Sequence, residues 1–321
     1  MPFRRTGWGP ADIPDLTGKT IVVTGANSGL GYEAALEFAA HGACTVLACR
    51  DPERGQRAAD RISAACDGIV EVLPLDLASQ SSVHRAARLF AREHGRLDVL
   101  VNNAGVMAAP FAVTDDGFER QFATNHLGPF AFTGLLMDLL LTTDRSRVVT
   151  VSSVLHRVGR LHLSDLQRLD GGYNRWLAYA STKLANVCFT YELDRRLRAC
   201  GARCAAMAAH PGWARTDLAR NGPVLEATAV RRRAGTVAAR LGQRPETGAL
   251  PLMYAATSPD AEGGEYFGPG GPAEQFGPPV RVHSSRRSRT PDDAARLWAI
   301  SEELTGVRYD IDAPARSGLP A

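Results

Sequence analysis

The 321-residue chain is 45% hydrophobic and 22% charged, and its 37 basic and 34 acidic residues leave a net charge of +3. This is the composition of a globular protein with a sizeable core, and it excludes a mainly electrostatic partner such as nucleic acid. No run of about 18 apolar residues occurs, so no membrane span is expected, and the start MPFRRTGWGPADIPDLTGK lacks the apolar segment of a secretory signal.

The elements follow in a regular order. TIVVTG (20–25) reads as a buried strand, and LGYEAALEFAAHG as a helix that Gly42 stops. ACTVLACR (43–50) is a second strand. DPERGQRAADRISAAC is a second helix, with Asp51 as N-cap and Pro52 at its first position. IVEVLPLDL (69–77) and SQSSVHRAARLFAREHG repeat the pair. LDVLVNNAG (97–105) is strand then turn, 115–142 is largely helical, and RVVTVSS (147–153) is a strand. A long helix covers 176–199, ARCAAMAAHPG (202–212) is strand then turn, and GEYFG (264–268) is a last strand. Alternating strands and helices predict one α/β domain, a doubly wound Rossmann-type parallel sheet of about seven strands with helices on both faces. Residues 1–18 read as an N-terminal extension and 263–321 as a C-terminal one, with 263–279 a surface excursion.

The six cysteines, at 44, 49, 66, 188, 200 and 204, form no Cys-x-x-Cys and share no zinc-ligand spacing with histidine. A reduced cytoplasmic setting and no metal are expected. The basic runs RRRAGTVAAR (231–240) and RVHSSRRSR (281–289) read as a solvated helix face and a charged loop.

TGANSGLG joins the first strand to the first helix. Gly25, Gly29 and Gly31, with Asn27, Ser28 and Leu30 among them, offer a tight turn and backbone amides at a helix N-terminus, the geometry that favours a pyrophosphate. An acid about 20 residues further on would select the ribose hydroxyl of NAD(H). Asp51 lies there but is better used as a helix cap, whereas Arg50 can fork onto a 2′-phosphate. NADP(H) is therefore expected in preference to NAD(H). Asp76 either accepts from an adenine amino group or caps the third helix, and Asn102 and Asn103 either tie their turn together or touch the cofactor. Gly105 suits close passage of the backbone.

TGANSGLG, NNAG, VSS, Tyr179-x-x-x-Lys183 and HPGWARTDL occur in that order between residues 24 and 218. In this the chain closely resembles the short-chain dehydrogenase/reductase family. ACRDPERGQ, VSSVLHRVGRLHLSDL and AYASTKLANVCFTYELDRRL resemble its retinol-dehydrogenase-like and WW-domain-oxidoreductase-like branch. So does the 26-residue separation of Ser153 and Tyr179. The sequence shows neither that branch's N-terminal membrane anchor nor WW modules.

The resemblance implies an alcohol/carbonyl oxidoreductase with Asn125, Ser153, Tyr179 and Lys183 as catalytic residues. Tyr179 is the acid/base, which Lys183 is expected to tune toward phenolate. Ser153 bonds the substrate oxygen. Asn125 holds a water relay to the lysine, serves as a helix-kink residue, or does both. Leu77, Asn103, Ala104, Pro211, Gly212 and Thr216 complete the implied cofactor contacts, with Tyr179 and Lys183 beside the nicotinamide ribose. The resemblance also implies an alcohol, aldehyde or ketone substrate, a lid at 217–246 over an apolar pocket, and pairing into dimers or tetramers through the helices at 115–142 and 176–199. His126, His156 and His210 are not read as bases; His156 is expected near the pocket wall and His210 in a structural role. The second reading is a dinucleotide-binding regulator or scaffold without turnover.

Overall fold

The computed structural model describes residues 7–167, 172–214 and 242–311. Thr216 and positions 217–241 of the expected lid lie outside them, as does the basic run at 231–240.

The chain opens with β1 (Thr20–Thr24), α1 (Gly29–Ala40), β2 (Cys44–Cys49), α2 (Pro52–Ser63), β3 (Val70–Pro74) and α3 (Gln80–Glu93). β4 (Val99–Asn102) follows. The helical stretch begins at Arg120, not 115. It consists of α4 (Arg120–Phe122), one wide π turn (Ala123–Leu127), α5 (Gly128–Leu135) and α6 (Met137–Thr142). Then come β5 (Arg147–Val151), α7 (Arg175–Ala199) and β6 (Ala205–Ala209). The remainder is α8 (Pro245–Gly248), α9 (Leu250–Thr257), β7 (Tyr266–Pro269), β8 (Pro279–Arg281) and α10 (Pro291–Thr305).

Among the described residues the sheet has eight strands in the order β3-β2-β1-β4-β5-β6-β7-β8. All neighbours are parallel except β7 and β8. The expected count of about seven misses β8, a three-residue antiparallel edge strand too short to show a pattern. The stretch 263–311 supplies β7, the edge strand β8 and α10, so its first part is woven into the sheet and the excursion is confined to the loop between β7 and β8.

Parallel strands covered on both faces read as unbroken apolar runs, and every residue of β1 is buried. Ile21 and Val23 face one core with Phe38, Leu47 and Leu252; Val22 faces the other with Phe90, Phe130 and Trp298. Asp51 caps α2 by accepting from the Arg54 amide at 3.0 Å. Asp76 does not cap α3: Ser79 does, accepting from the Ser82 amide at 3.4 Å, while Asp76 accepts from Ala78. Among the described residues no helix is long and apolar enough to cross a membrane.

Candidate active site

The strand order reverses direction between β1 and β4, the place where open α/β sheets form a crevice beyond their carboxyl ends. Two turns meet there. Asn103 donates its side-chain amide to the Thr24 carbonyl at 2.8 Å. The backbone amides of Asn103 and Ala104 both donate to the Thr24 hydroxyl at 3.0 Å. Of the two roles open to Asn103, the structure shows the tie. Asn102 turns away to Thr133, at 2.9 Å.

This juncture leaves no space for side chains. A Cβ on Gly31 would fall 2.5 Å from Asn103 Nδ2 and 2.7 Å from the Gly25 carbonyl; one on Gly25 would sit 3.0 Å from Ala104. Gly25 and Gly29 also have positive φ, +67° and +58°. Ser28, at the N-cap of α1, makes no side-chain capping bond, so the first amides of that helix face the crevice without a side-chain partner. A glycine cradle ending in an uncapped helix fits a pyrophosphate, with Asn27, Ser28 and Leu30 along it. Arg50 is exposed at the end of β2. Leu77 is buried, its carbonyl packed on Gly128, where a Cβ would lie only 2.2 Å away.

Tyr179 and Lys183 lie one turn apart on α7, 5% and 3% exposed. The Lys183 ammonium donates to the Val151 carbonyl at 2.9 Å and stands 5.8 Å from the Tyr179 ring centre. Ser153 follows β5, and its hydroxyl lies close enough to the Tyr179 phenol to favour the phenol's ionised form. Ser152, its neighbour, points into the fold and donates to the Lys183 carbonyl at 2.8 Å, which leaves Ser153 as the hydroxyl beside the phenol.

The electrostatics differ from the expectation that lysine lowers the phenol. Burial pushes Tyr179 up to about 12, opposed by the nearby Ser153 hydroxyl. Burial likewise pushes Lys183 down to about 8. Desolvation disfavours whichever form is charged, and it is the largest cause for both groups. The protein's own groups therefore hold Tyr179 as a neutral phenol, a proton donor.

Asn125 lies in the π turn, fully buried. Its amide oxygen accepts from the Val106 amide at 2.7 Å. Its amide nitrogen donates to the Val106 carbonyl at 2.9 Å and to Thr182 Oγ1 at 3.0 Å. The side chain thus clamps the loop after β4 to α7, the kink-residue alternative. Pro129 has no N–H to return to the Asn125 carbonyl, so that carbonyl lacks the donor an α-helix would give it. Gly105 passes beneath; a Cβ there would sit 3.0 Å from Asn125 Oδ1 and 3.6 Å from Lys183 Nζ.

The histidines are structural. His126 bonds Ser301 at 2.9 Å, and burial pushes it down to about 4. His156 is buried rather than on a pocket wall. Its Nε2 accepts from the Ser285 amide at 3.0 Å, so Nδ1 carries the proton toward the Ser153 carbonyl at 2.7 Å. His210 accepts from the Gly212 amide and meets Glu274. In the basic run 281–289, Arg281 pairs with Glu265, Arg287 donates to the Gly159 carbonyl and Arg289 to Ser284, while all four arginines stay exposed, as a charged loop should.

One cluster escapes sequence spacing. Cys44, Glu71 and His94 bring their donor atoms within 4.8 Å of one another. His94 pairs with Glu71 at 3.1 Å, and the Cys44 thiol, pushed up to about 11 chiefly by burial, donates to Glu71 at 3.5 Å. It sits where β2 and β3 begin, at the opposite end of the strands from the crevice that holds Tyr179.

The short chain dehydrogenase family model matches residues 19–223, from the start of β1 past the Pro211–Gly212 turn. The chain belongs to the short chain dehydrogenase family. Retinol dehydrogenase 13 of Homo sapiens is 39% identical over 300 residues, covering 92% of this chain and 86% of that protein. Retinol dehydrogenase 14 of Mus musculus is 38% identical over 321 residues, covering 95% and 91%. These relatives place this short chain dehydrogenase in the retinol-dehydrogenase-like branch. A crystal structure of an uncharacterised protein from Mycobacterium paratuberculosis superposes with a TM-score of 0.78 at 43% identity, over 95% of this chain and 99% of that one. A candidate NAD(P)-dependent gluconate 5-dehydrogenase from Beutenbergia cavernae, with bound NADP, gives 0.58 at 26% identity, over 76% and 91%. This short chain dehydrogenase is thus an oxidoreductase acting on CH–OH groups of small molecules with a nicotinamide dinucleotide.

Proposed function

We propose that the protein is an NADP(H)-dependent reductase of apolar aldehydes or ketones, working reversibly on the matching alcohols. The observation that carries this reading is the convergence of Ser153, Tyr179 and Lys183 beside the glycine cradle, with Tyr179 held as a neutral phenol. When bound, the cofactor supplies or accepts the hydride at the substrate carbon. The chain's own residues do the rest. Ser153 donates a hydrogen bond to the carbonyl oxygen, strengthened as negative charge develops there. Tyr179 gives that oxygen its proton. Lys183, anchored on Val151, supplies the charge that stabilises the phenolate left behind, and a water on the Asn125 carbonyl returns the proton.

Gly25, Gly29, Gly31 and the α1 amides would hold the pyrophosphate; Asp76, Leu77, Ala104 and Gly105 the adenine and ribose side; Pro211, Gly212 and Thr216 the nicotinamide side. The phosphate preference rests on Arg50 being exposed while Asp51 is spent on its cap, and the NADP in the Beutenbergia cavernae structure supports it. The apolar substrate rests on exposed Phe111, Trp176, Leu177 and Trp213 on the loops beyond the strand ends and at the start of α7. It also rests on the retinol dehydrogenase relatives. Six free cysteines support a reduced cytoplasmic setting. A panel of apolar and polar aldehydes with NADPH and NADH tests the reading: turnover confined to polar substrates, or equal use of both cofactors, would refute it.

A further inference from the structure

We propose that Glu274 is a positioning residue of the cofactor site, clamping the Pro211–Gly212 turn to the loop that carries Ser153. This rests on the functional reading above, in which that turn borders the nicotinamide.

His210 continues from β6, its imidazole without solvent exposure. Its Nδ1 accepts from the Gly212 amide at 3.2 Å. That fixes the tautomer: Nε2 carries the proton and points at Glu274 Oε2, 3.1 Å away. The other carboxylate oxygen accepts from Arg157 at 2.7 Å. Arg157 ends the helical turn Val154–Arg157 that Ser153 caps, and also donates to the His283 carbonyl at 3.0 Å. One carboxylate thus joins the two loops on either side of the proposed reacting centre.

The surroundings are shaped for this contact. A Cβ on Gly268 would lie 2.1 Å from His210 Nε2, so glycine there admits the ring. Gly212 has φ +63°, and a Cβ on it would meet the Gln275 carbonyl at 2.5 Å; the Trp213 amide donates to that same carbonyl at 3.2 Å. Ala273 and Glu274 themselves occupy the left-handed region, at +51° and +57°. Non-glycine residues persist there only where the surroundings over-determine them, and the two bonds to the carboxylate do so. His210 and Arg157 hold that carboxyl down at about 2, so it stays ionised across the working range.

The test is NADPH binding, followed by fluorescence, with steady-state kinetics on an apolar aldehyde. Glu274→Ala should raise the NADPH dissociation constant and cofactor KM about tenfold, the loss of a charge-assisted bond. Glu274→Gln keeps an acceptor for His210 but loses the carboxylate charge that pairs with Arg157, and should weaken binding about threefold. A purely structural residue would lower the unfolding midpoint and leave the cofactor KM unmoved. That outcome overturns the proposal, as does wild-type binding in Glu274→Gln should the alanine variant not fold. Binding needs no turnover: wild-type protein that binds NADPH yet reduces no aldehyde sinks the functional reading and leaves this one standing, whereas protein that binds no NADP(H) sinks both.

Discussion

Lys183 places its ammonium 2.9 Å from the Val151 carbonyl, in a site where burial pushes its pKa down to about 8. The chain keeps a charge where a methionine would be more comfortable. Removing it is the first test. With the folded value below the unfolded one, the ammonium is a liability below pH 8, and that liability fades as pH rises from about 8 toward the ordinary lysine value. The gap corresponds to roughly 3 kcal/mol, less the Val151 bond. Lys183→Met should therefore unfold at a higher temperature than wild type at pH 7 without cofactor. The difference should shrink by pH 9, and turnover should be lost. A midpoint gap that widens with pH would show that the sign is wrong.

Arg50 and Asp51 divide the choice of cofactor between them. Arg50→Ala should weaken NADPH binding by about tenfold, the loss of a charge-assisted phosphate contact, and leave NADH binding within about twofold. Isothermal titration with both nucleotides reads this directly. Unchanged NADPH affinity would remove the basis for the phosphate preference.

Ser152 and Ser153 are adjacent but do different work. Ser153→Ala should lower kcat by about a hundredfold with little change in stability, as expected for a donor to a developing oxyanion. Ser152→Ala removes the buried bond to the Lys183 carbonyl and should lower stability by about 1 kcal/mol with a smaller effect on kcat. If the two variants exchange phenotypes, the assignment is reversed.

Gly31 is crowded by the Asn103 amide, which itself holds Thr24. Gly31→Ala should force that amide away, lower stability by about 1–3 kcal/mol and weaken dinucleotide binding. Chemical denaturation and nucleotide titration on the same sample would show both losses; a stable variant with intact binding would mean the cradle is looser than the distances imply.

How far the sequence alone reaches can be judged from these residues. Tyr179 and Lys183 share one helix, Gly25 to Gly31 one turn, and Asp51 caps the helix it precedes; each is a local relation that residue order displays. The partners that decide the remaining roles are distant in the chain. Ser285 fixes the tautomer of His156, Glu274 meets His210, and Thr182 receives the Asn125 amide, across 129, 64 and 57 residues respectively. The Cys44, Glu71 and His94 cluster is hidden for the same reason. The phenol's raised pKa was not legible either. One-turn spacing shows that the ammonium is near, but only burial shows that desolvation wins.

The most direct measurement is the loss of nicotinamide absorbance when NADPH and an apolar aldehyde are mixed with wild-type protein and with Tyr179→Phe. The phenol as proton donor predicts turnover by wild type. It predicts a fall of about a thousandfold in kcat for the variant, with a far smaller change in NADPH binding. Comparable turnover in both proteins would contradict it.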